Sequence, residues 1–576
     1  MPEPVEVLIQ NIVHSVDQGI IYRVVRVGLF LLAIVLLMLL YMSTQFTGFA
    51  DEEAMDCAQL GRNIMSGRGF VTQNVRPASI WYLAKNKKAK FGRSMLLKHP
   101  DIVHAPLYPL ALASIFRVAN PSFSAGRGRG RYAPEQKLIV PFGFVCTLFS
   151  AGFLFLLGKT LFSRRIALTS LVLYLLTDSV LADSISGLPI SLTALLLTGG
   201  LYFAVLAVSL RNDGRRLWWW LIPLICSCVF AVLAFLTRYV AGLLALGLFL
   251  YIGLGFRTRG WRWGAAFLAC FLVGILPWLL RNYIVSGGPL GLAPYGVLNE
   301  TKEFAENAFD RTLQIGRITE PRVTDNLSRK CVGNLEEMFA NHLGVFKGGV
   351  LFVFFFCSFL FRFSRREVGL LRWCMAIVIL FWLLVGSLFG EVTLRLCTAL
   401  LPFMFLYGVA FFFAMADRLQ FRLPVMNLAV VLLVGLLQAT PLIVRLFPPR
   451  APIPYPPYHA PFIAGLCELY RADEVICSDI PAGAAWYGNR VTLGLPAKVD
   501  DFLAIYDNIG TIAAIYFTTK TRDQPFATTM LRGRNATWRP MILNEDIPKD
   551  FPLTTGVHLN MKDQFLLSDY PRWMRQ

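Results

Sequence analysis

The stretch FTGFADEEAMDCAQLGRNIMSGRGF at 46–70, together with KHPDIVHAPLYPLALASIF at 98–116, lies between two long apolar segments, and its reading decides the fold. The apolar run before it ends near Ser43. Asp51 and Glu52 then open a segment with Ala54, Cys57, Ala58, Gly61, Ile64 and Met65 on one helical face. That spacing predicts a short helix along a membrane surface, stopped by Gly67 and Gly69. Pro106 can start a second interfacial helix, because the apolar run from Leu107 to Phe116 is too short to cross a bilayer. Asp51 stands at the water boundary of the first span, where a carboxylate can meet a lipid-borne substrate from one side and a soluble one from the other.

Composition agrees with a membrane setting. Of 576 residues, 56% are hydrophobic and only 16% charged, and the mean hydropathy is +0.55, which predicts an integral membrane protein. The net charge of +19 is dealt out in small clusters between apolar runs, a pattern of membrane orientation rather than of nucleic-acid binding. Cys226, Cys228, Cys270, Cys357 and Cys374 fall inside apolar runs as small hydrophobes, and no zinc-type spacing occurs.

The first span covers Val27 to Met42, behind an amphipathic N-terminal segment read as cytoplasmic, with an uncleaved anchor favoured over a signal peptide. Further spans are expected at about 136–158, 166–182, 189–210, 218–237, 239–256, 263–280, 346–361, 368–389, 396–416 and 424–445, about 11 in all. With the N-terminus inside, the even loops read KTLFSRR at 159–165, RNDGRR at 211–216, RTRGWR at 257–262, RFSRRE at 362–367 and DRLQFR at 417–422. All are basic, as cytoplasmic loops should be. The first loop, at about 46–135, the 281–345 loop and the tail then share the external side, with the C-terminus outside.

The tail changes character. PPRAPIPYPPYHAP makes 446–459 a semi-rigid linker. Beyond it, a helix near Phe462–Arg471, a strand EVICS, the turn DIPAG, a strand RVTLGL, a helix VDDFLAIYDN and a strand AAIYFTT predict a small external α/β domain over 460–576. Cys467 and Cys477 are either a disulfide or two buried thiols.

At the quoted residues the sequence resembles the bacterial lipid-phosphate-sugar-dependent glycosyltransferases of the GT-C fold group, which includes protein O-mannosyltransferases and aminoarabinose transferases. The features that match are the acidic pair after span one, a Gly-x-Gly turn, and the H-x-P-L-Y-P-L segment at 104–110. The resemblance implies that Asp51 is the catalytic base, with Glu52 beside it and His104, Pro106 and Tyr108 in the second element. ILPWLLRNYIVSGGPLG at 275–291 and GEVTLRLCTALLPFMFL at 390–406 are also similar to that group. They bring Arg281 with Asn282, and Glu391 with Arg395, to span ends. For each arginine, binding of a lipid phosphate stands against snorkelling to headgroups. Arg238 in LTRY and Asp183 in LADS are either supporting residues or span ends. The WWW at 218–220 reads as an aromatic belt. No Gly-rich phosphate loop, H-E-x-x-H or G-x-S-x-G stands out.

The expected fold is therefore a polytopic α-helical membrane protein of GT-C type over 1–445, with interfacial helices in a large first external loop, followed by the small α/β domain. The expected activity is inverting transfer of a sugar from a polyprenyl-phosphate donor to a lipid, glycan or protein acceptor, at the external face of a bacterial inner membrane. Asp51 would serve as base, Arg281 and Arg395 would receive the leaving phosphate, and His104 would assist. Asn282, Tyr108 and Arg238 complete the expected substrate contacts. No cofactor is required, although Asp51 and Glu52 leave a divalent metal open. The tail carries no W-W-D-type motif, which argues against an oligosaccharyltransferase. A transporter or flippase of lipid-linked sugars is the rival from another class, but it calls for polar mid-span residues and internal repeats, neither of which is clear. An O-antigen ligase or polymerase would carry its main external loop late in the chain.

Overall fold

The computed structural model describes residues 20–574 except 88–91, 125–131, 306, 314–319, 343–344, 391–395, 419–423, 449–457, 523–525, 527–529, 531–535, 544–545 and 560–563. Among them, eight helices are long and apolar enough to cross a membrane: Val24–Gln45, Glu135–Leu161, Ile190–Asn212, Leu217–Thr237, Gly260–Ser286, Arg366–Phe389, Cys397–Arg418 and Leu428–Leu446. A ninth crossing is made if Arg164–Leu175 and Asp178–Ile185, bent by 57° against each other, count as one span. The stretches expected at 239–256 and 346–361 coincide with the shorter apolar helices Tyr239–Gly255 and Gly348–Ser358. Counted with the eight helices and the bent pair, these two make up the expected eleven, and helices this short cross a bilayer where it thins around them.

Ile190–Asn212 and Cys397–Arg418 are the most enclosed spans, while Val24–Gln45 and Leu428–Leu446 lie at the margin. Lipid tails are as apolar as leucine, so packing between spans depends on close approach at small residues and on hydroxyl bonds. A Cβ at Gly143 would stand 2.1 Å from the Ser184 carbonyl, and one at Gly408 2.5 Å from that of Leu351. At the first of these crossings Thr147 Oγ1 and Ser184 Oγ are 2.7 Å apart. Asp183, one residue earlier, accepts a bond from Thr398 Oγ1 at 2.5 Å, tying two spans together.

After the first span, α1 (Ile20–Gln45), come α2 (Glu52–Met65), β1 (Val71–Thr72), β2 (Asn74–Val75), β3 (His99–Pro100) and α3 (Leu107–Ala119). α2 stops where the sequence predicts, with Gly67 at φ 76°, a left-handed conformation that glycine adopts without strain. However, α2 is enclosed along Ala54–Asn63, including Asp56, Gln59, Arg62 and Asn63. Its small face meets α3, where a Cβ on Gly61 would come within 3.0 Å of Leu112 Cβ. Its polar face is roofed by the tail.

The tail supplies β4 (Val475–Ser478), the helix α4 (Pro481–Gly488), β5 (Thr492–Gly494), a helix at Val499–Asn508, β6 (Ile512–Phe517), β7 (Thr555–His558) and β8 (Phe565–Ser568). The helix and strands expected from VDDFLAIYDN, EVICS, RVTLGL and AAIYFTT are present. DIPAG is not only a turn, because Pro481 stands in the first turn of α4, where a missing N–H costs nothing. The sheet has the order β2-β5-β4-β6-β8-β7. β2, β5, β4 and β6 run parallel, with Asn74 opposite Thr492, while β8 runs antiparallel to both its neighbours, β6 and β7. The α/β layer therefore takes its edge strand from the first loop. Cys467 and Cys477 are separate buried thiols.

The segment after Ser286 joins both parts. Ala78 N donates to the Asp310 carbonyl at 3.1 Å, and Ala497 N to the Arg311 carbonyl at 2.8 Å. Thus described residues of the first loop, the segment 287–313 and the tail form one layer over the span ends. Buried Trp486 joins the layer to the core of the spans, and buried Trp538 lies in a separate core under the sheet.

Candidate active site at the span ends

A cavity of about 690 Å³ opens where this layer meets the spans. Asp51, Glu52, Glu53, His104, Tyr108 and Arg238 all line it, so six residues from two loop elements and one span end converge there. Val240, Leu243, Leu290, Leu292 and Phe389 give it an apolar wall. One chamber thus offers both an acyl-compatible surface and a charged rim.

Asp51 is the N-cap of α2, yet its side chain makes no capping hydrogen bond. Glu52 is paired with Lys520 from the tail and accepts from Tyr458 Oη at 3.4 Å. Burial alone would raise the Glu52 carboxyl, but the Lys520 ammonium outweighs it and holds the group below its ordinary range. Glu53 pairs with Arg238, the residue that closes the helix Leu217–Thr237.

Behind this rim lies a buried polar network. Asp56, 1% exposed, accepts from Asn74 Nδ2 at 2.8 Å and from Arg76 at 2.9 Å. Burial lifts its carboxyl to about 6 against the pull of Arg76 and His104. Asp101 accepts His104 N at 2.8 Å and faces His104 Nδ1 at 2.9 Å. Burial works against charge on both partners, and their mutual attraction wins: Asp101 is held low and His104 high. Nε2 of the same ring lies 3.9 Å from Asp56. Asp310, also lining the cavity, is raised by burial, which exceeds the opposing field of Arg76.

The other expected residues have different surroundings. Arg281 is not in the cavity lining. Its guanidinium donates to the Asp101 carbonyl at 2.7 Å and to Asn282 Oδ1 at 2.9 Å, and it sits 4.9 Å from the Trp278 ring. Asn282, fully buried, donates to Tyr239 Oη at 3.3 Å. Tyr108 lines the cavity while its hydroxyl donates to the Gly187 carbonyl at 2.7 Å. Arg395 and Glu391 lie outside the described residues. Trp218 and Trp219 are exposed, as in an aromatic belt, whereas Trp220 is buried against Phe256 and Trp263. Glu53, Asp56, Arg76, Asp101 and Lys520 were missed. The D-x-x-H spacing of Asp101 and His104 was a usable signal, whereas nothing local in the sequence links Asp56 to Arg76 or Glu52 to Lys520.

Among the described residues, no group of three or more His, Cys, Asp or Glu is arranged to hold a metal ion. The Glu52 carboxylate that such an ion would need beside Asp51 is already held by Lys520 and Tyr458.

A layer of loop helices and an α/β sheet set over apolar spans, with the acids after span one facing a cavity at the span ends, defines an integral, multi-pass membrane protein of the GT-C fold. No family model matches the sequence, and no curated protein matches it. In three dimensions it is similar to the Archaeoglobus fulgidus oligosaccharyltransferase in complex with Zn and sulfate, with a TM-score of 0.52 and 13% identity over 87% of this chain and 69% of that one. It is also similar to AglB of the same organism in complex with an inhibitory peptide and a dolichol-phosphate (TM-score 0.52, 11% identity, 88% of this chain, 71% of that one). ArnT from Cupriavidus metallidurans bound to undecaprenyl phosphate matches at a TM-score of 0.44 and 11% identity, over 94% of this chain and 98% of that one. All three are GT-C fold glycosyltransferases. At such identities the likeness to the oligosaccharyltransferases concerns the fold, and at that level the resemblance read from 46–116 holds.

Proposed function

We propose that the protein is a glycosyltransferase that moves a sugar from a polyprenyl-phosphate carrier to an acceptor hydroxyl or amine, with inversion at C1. The observation that carries this reading is the single cavity in which an apolar wall meets Asp51, His104 and Arg238. The named ligands of the similar proteins, dolichol-phosphate and undecaprenyl phosphate, are of the carrier class this cavity suits.

In the proposed step, Asp51 takes the proton of the acceptor X–H as X bonds to C1 and the bond from C1 to the phosphate oxygen breaks. The lipid phosphate leaves with the negative charge. Arg238, turning from Glu53, and His104, oriented by Asp101, receive it. Arg281 acts one step back, holding the Asp101 carbonyl and hence the histidine. A phosphate role for Arg395 rests on the sequence resemblance alone. Any divalent ion would supply Lewis-acid charge neutralisation at the acids, and Glu52 would have to leave Lys520 to hold it.

Profiling envelope glycoconjugates of a deletion strain by mass spectrometry should reveal the loss of one sugar mass, restored by the wild-type gene. Vesicles that move the lipid-linked sugar across the bilayer without making a new glycosidic bond would establish the transporter instead.

The basic loops at 159–165, 211–216, 257–262, 362–367 and 417–422 support a cytoplasmic N-terminus and an external C-terminus in a bacterial inner membrane. A reporter fused after Arg215 should behave as cytoplasmic and one fused at Gln576 as external. A cytoplasmic C-terminus would put the reaction on the wrong face.

A further inference from the structure

A second cleft, about 110 Å³, opens beside the main cavity and shares Glu52, Arg76, Asn307 and Asp310 with it as a common wall. Its floor is the carboxyl end of the parallel strands: Arg76 follows β2, Ser478 and Asp479 end β4, and Gly494 ends β5. Crevices at the carboxyl ends of parallel strands, where the strand order reverses, are the usual ligand sites of such sheets. Here the chain passes from β4 to β5 on one side and then to β6 on the other, so the order reverses between β4 and β6, and the cleft lies beside that point, over the ends of β2, β5 and β4. Asp479 spans that crevice, accepting Thr518 N at 2.9 Å and Thr518 Oγ1 at 2.8 Å.

The lining also defines a chemistry. Three carboxylates (Glu52, Asp310, Asp479) face two guanidiniums (Arg76, Arg311), with Asn74, Asn307 and Ser478 between them. The set is not cationic overall, which disfavours a phosphate. Asn74, 5% exposed, donates Nδ2 to both oxygens of Asp56, so its amide orientation is fixed. Its Oδ1 is buried without a hydrogen-bond partner, as is Asn299 Oδ1 at the main cavity. Both are acceptors in want of a donor, and a phosphate oxygen has none to offer. A ring bearing several hydroxyls donates and accepts at once.

We propose that this cleft is the acceptor subsite and takes a neutral, hydroxyl-bearing sugar ring, whose attacking hydroxyl reaches past Glu52 and Arg76 to Asp51. The assignment rests on the transfer reaction proposed above, and it limits the acceptor class to glycans and glycolipids.

The test uses the full-length protein in nanodiscs, methyl glucoside as probe, and saturation-transfer NMR as the readout. The wild type should transfer saturation to the ring. Gly494→Val, which projects methyl groups from β5 into the cleft, should weaken the probe's binding by about tenfold. Gly494→Ala covers the case in which valine disturbs folding: its Cβ would meet Pro481 Cγ at 3.7 Å and Pro77 Cδ at 3.8 Å, in ordinary contact, and it should weaken binding to a lesser degree. Absence of transfer in the wild type, equal transfer in the wild type and the folded variants, or displacement of the sugar by inorganic phosphate overturns the subsite. The assay makes no bond, so it separates the two readings. Asp51→Asn protein that has lost turnover but binds no sugar defeats only the subsite. Intact sugar binding with turnover untouched by Asp51→Asn defeats only the proposed reaction.

Discussion

Asp51→Asn is expected to lower sugar transfer by about 100- to 10,000-fold, the usual worth of a general base, while leaving the protein folded and able to bind its lipid-phosphate donor. The expectation of an intact fold has a specific basis. An aspartate at a helix N-cap normally bonds the first-turn N–H groups, and removing that bond costs about 1 kcal/mol, although asparagine caps about as well. Asp51 makes no such capping bond, so its carboxylate can be neutralised without unmaking α2. Asn keeps the volume of Asp but has no useful basicity. Asp51→Glu retains a base displaced by one methylene and should fall between the two. The measurement is turnover of purified protein with saturating donor. A wild-type rate for Asp51→Asn would end the assignment and turn attention to Glu53, the neighbouring acid on the same cavity.

Arg238→Gln should have the second largest effect, a fall of about 100- to 1,000-fold in kcat, corresponding to about 3–4 kcal/mol of lost stabilisation of the departing phosphate. Removing the guanidinium also leaves Glu53 without its cation, and both side chains are largely shielded, at 20% and 15% exposure. Leaving one charge of a buried pair alone is destabilising, so the single variant should also melt earlier. The double variant Glu53→Gln, Arg238→Gln separates the two effects. It should recover thermal stability and remain slow. Recovery of rate along with stability would reduce Arg238 to a structural partner of Glu53. Arg281→Gln is the informative comparison. It acts through the Asp101 carbonyl and His104, so its loss should be smaller and should change with pH as the histidine titrates.

Much of this architecture was legible in the sequence because membrane spans are written in consecutive residues. Each apolar run names its own helix, although the runs at 239–256 and 346–361, read as spans like the others, coincide with shorter helices. Asp51, Glu52, His104 and Tyr108 could be collected through the resemblance at 46–116, and Arg238 because it lies at an external turn. What stayed hidden depends on pairing across distance. Arg281 reads as an exposed cation at a span end, and only the folded chain shows it turned onto the Asp101 carbonyl. β2 is two residues long, too short for any alternation to register. Lys520 sits in a stretch that looks like an ordinary polar loop, and Glu52 gives no hint that its counter-ion comes from the tail. α2 was expected to lie along a membrane surface because Ala54, Cys57, Ala58, Gly61, Ile64 and Met65 share one face, yet Asp56, Gln59, Arg62 and Asn63 are buried as well. Burial of those four follows from Arg62 donating to the Ala485 and Trp486 carbonyls, both at 2.7 Å, and from Asn74 and Arg76 reaching Asp56.

Arg62 and Trp486 are separated by 424 positions, and β2 pairs with a strand made equally late. A ribosome adding about 5–20 residues per second leaves the first loop waiting roughly 20 to 80 seconds for its roof. During that interval every span after the first is synthesised, while a guanidinium destined for burial and an open strand edge remain without their partners on the chain. The acids of α2 therefore acquire their final surroundings at the end of translation. A ribosome that stops before β5 releases a chain with all its spans and no finished site.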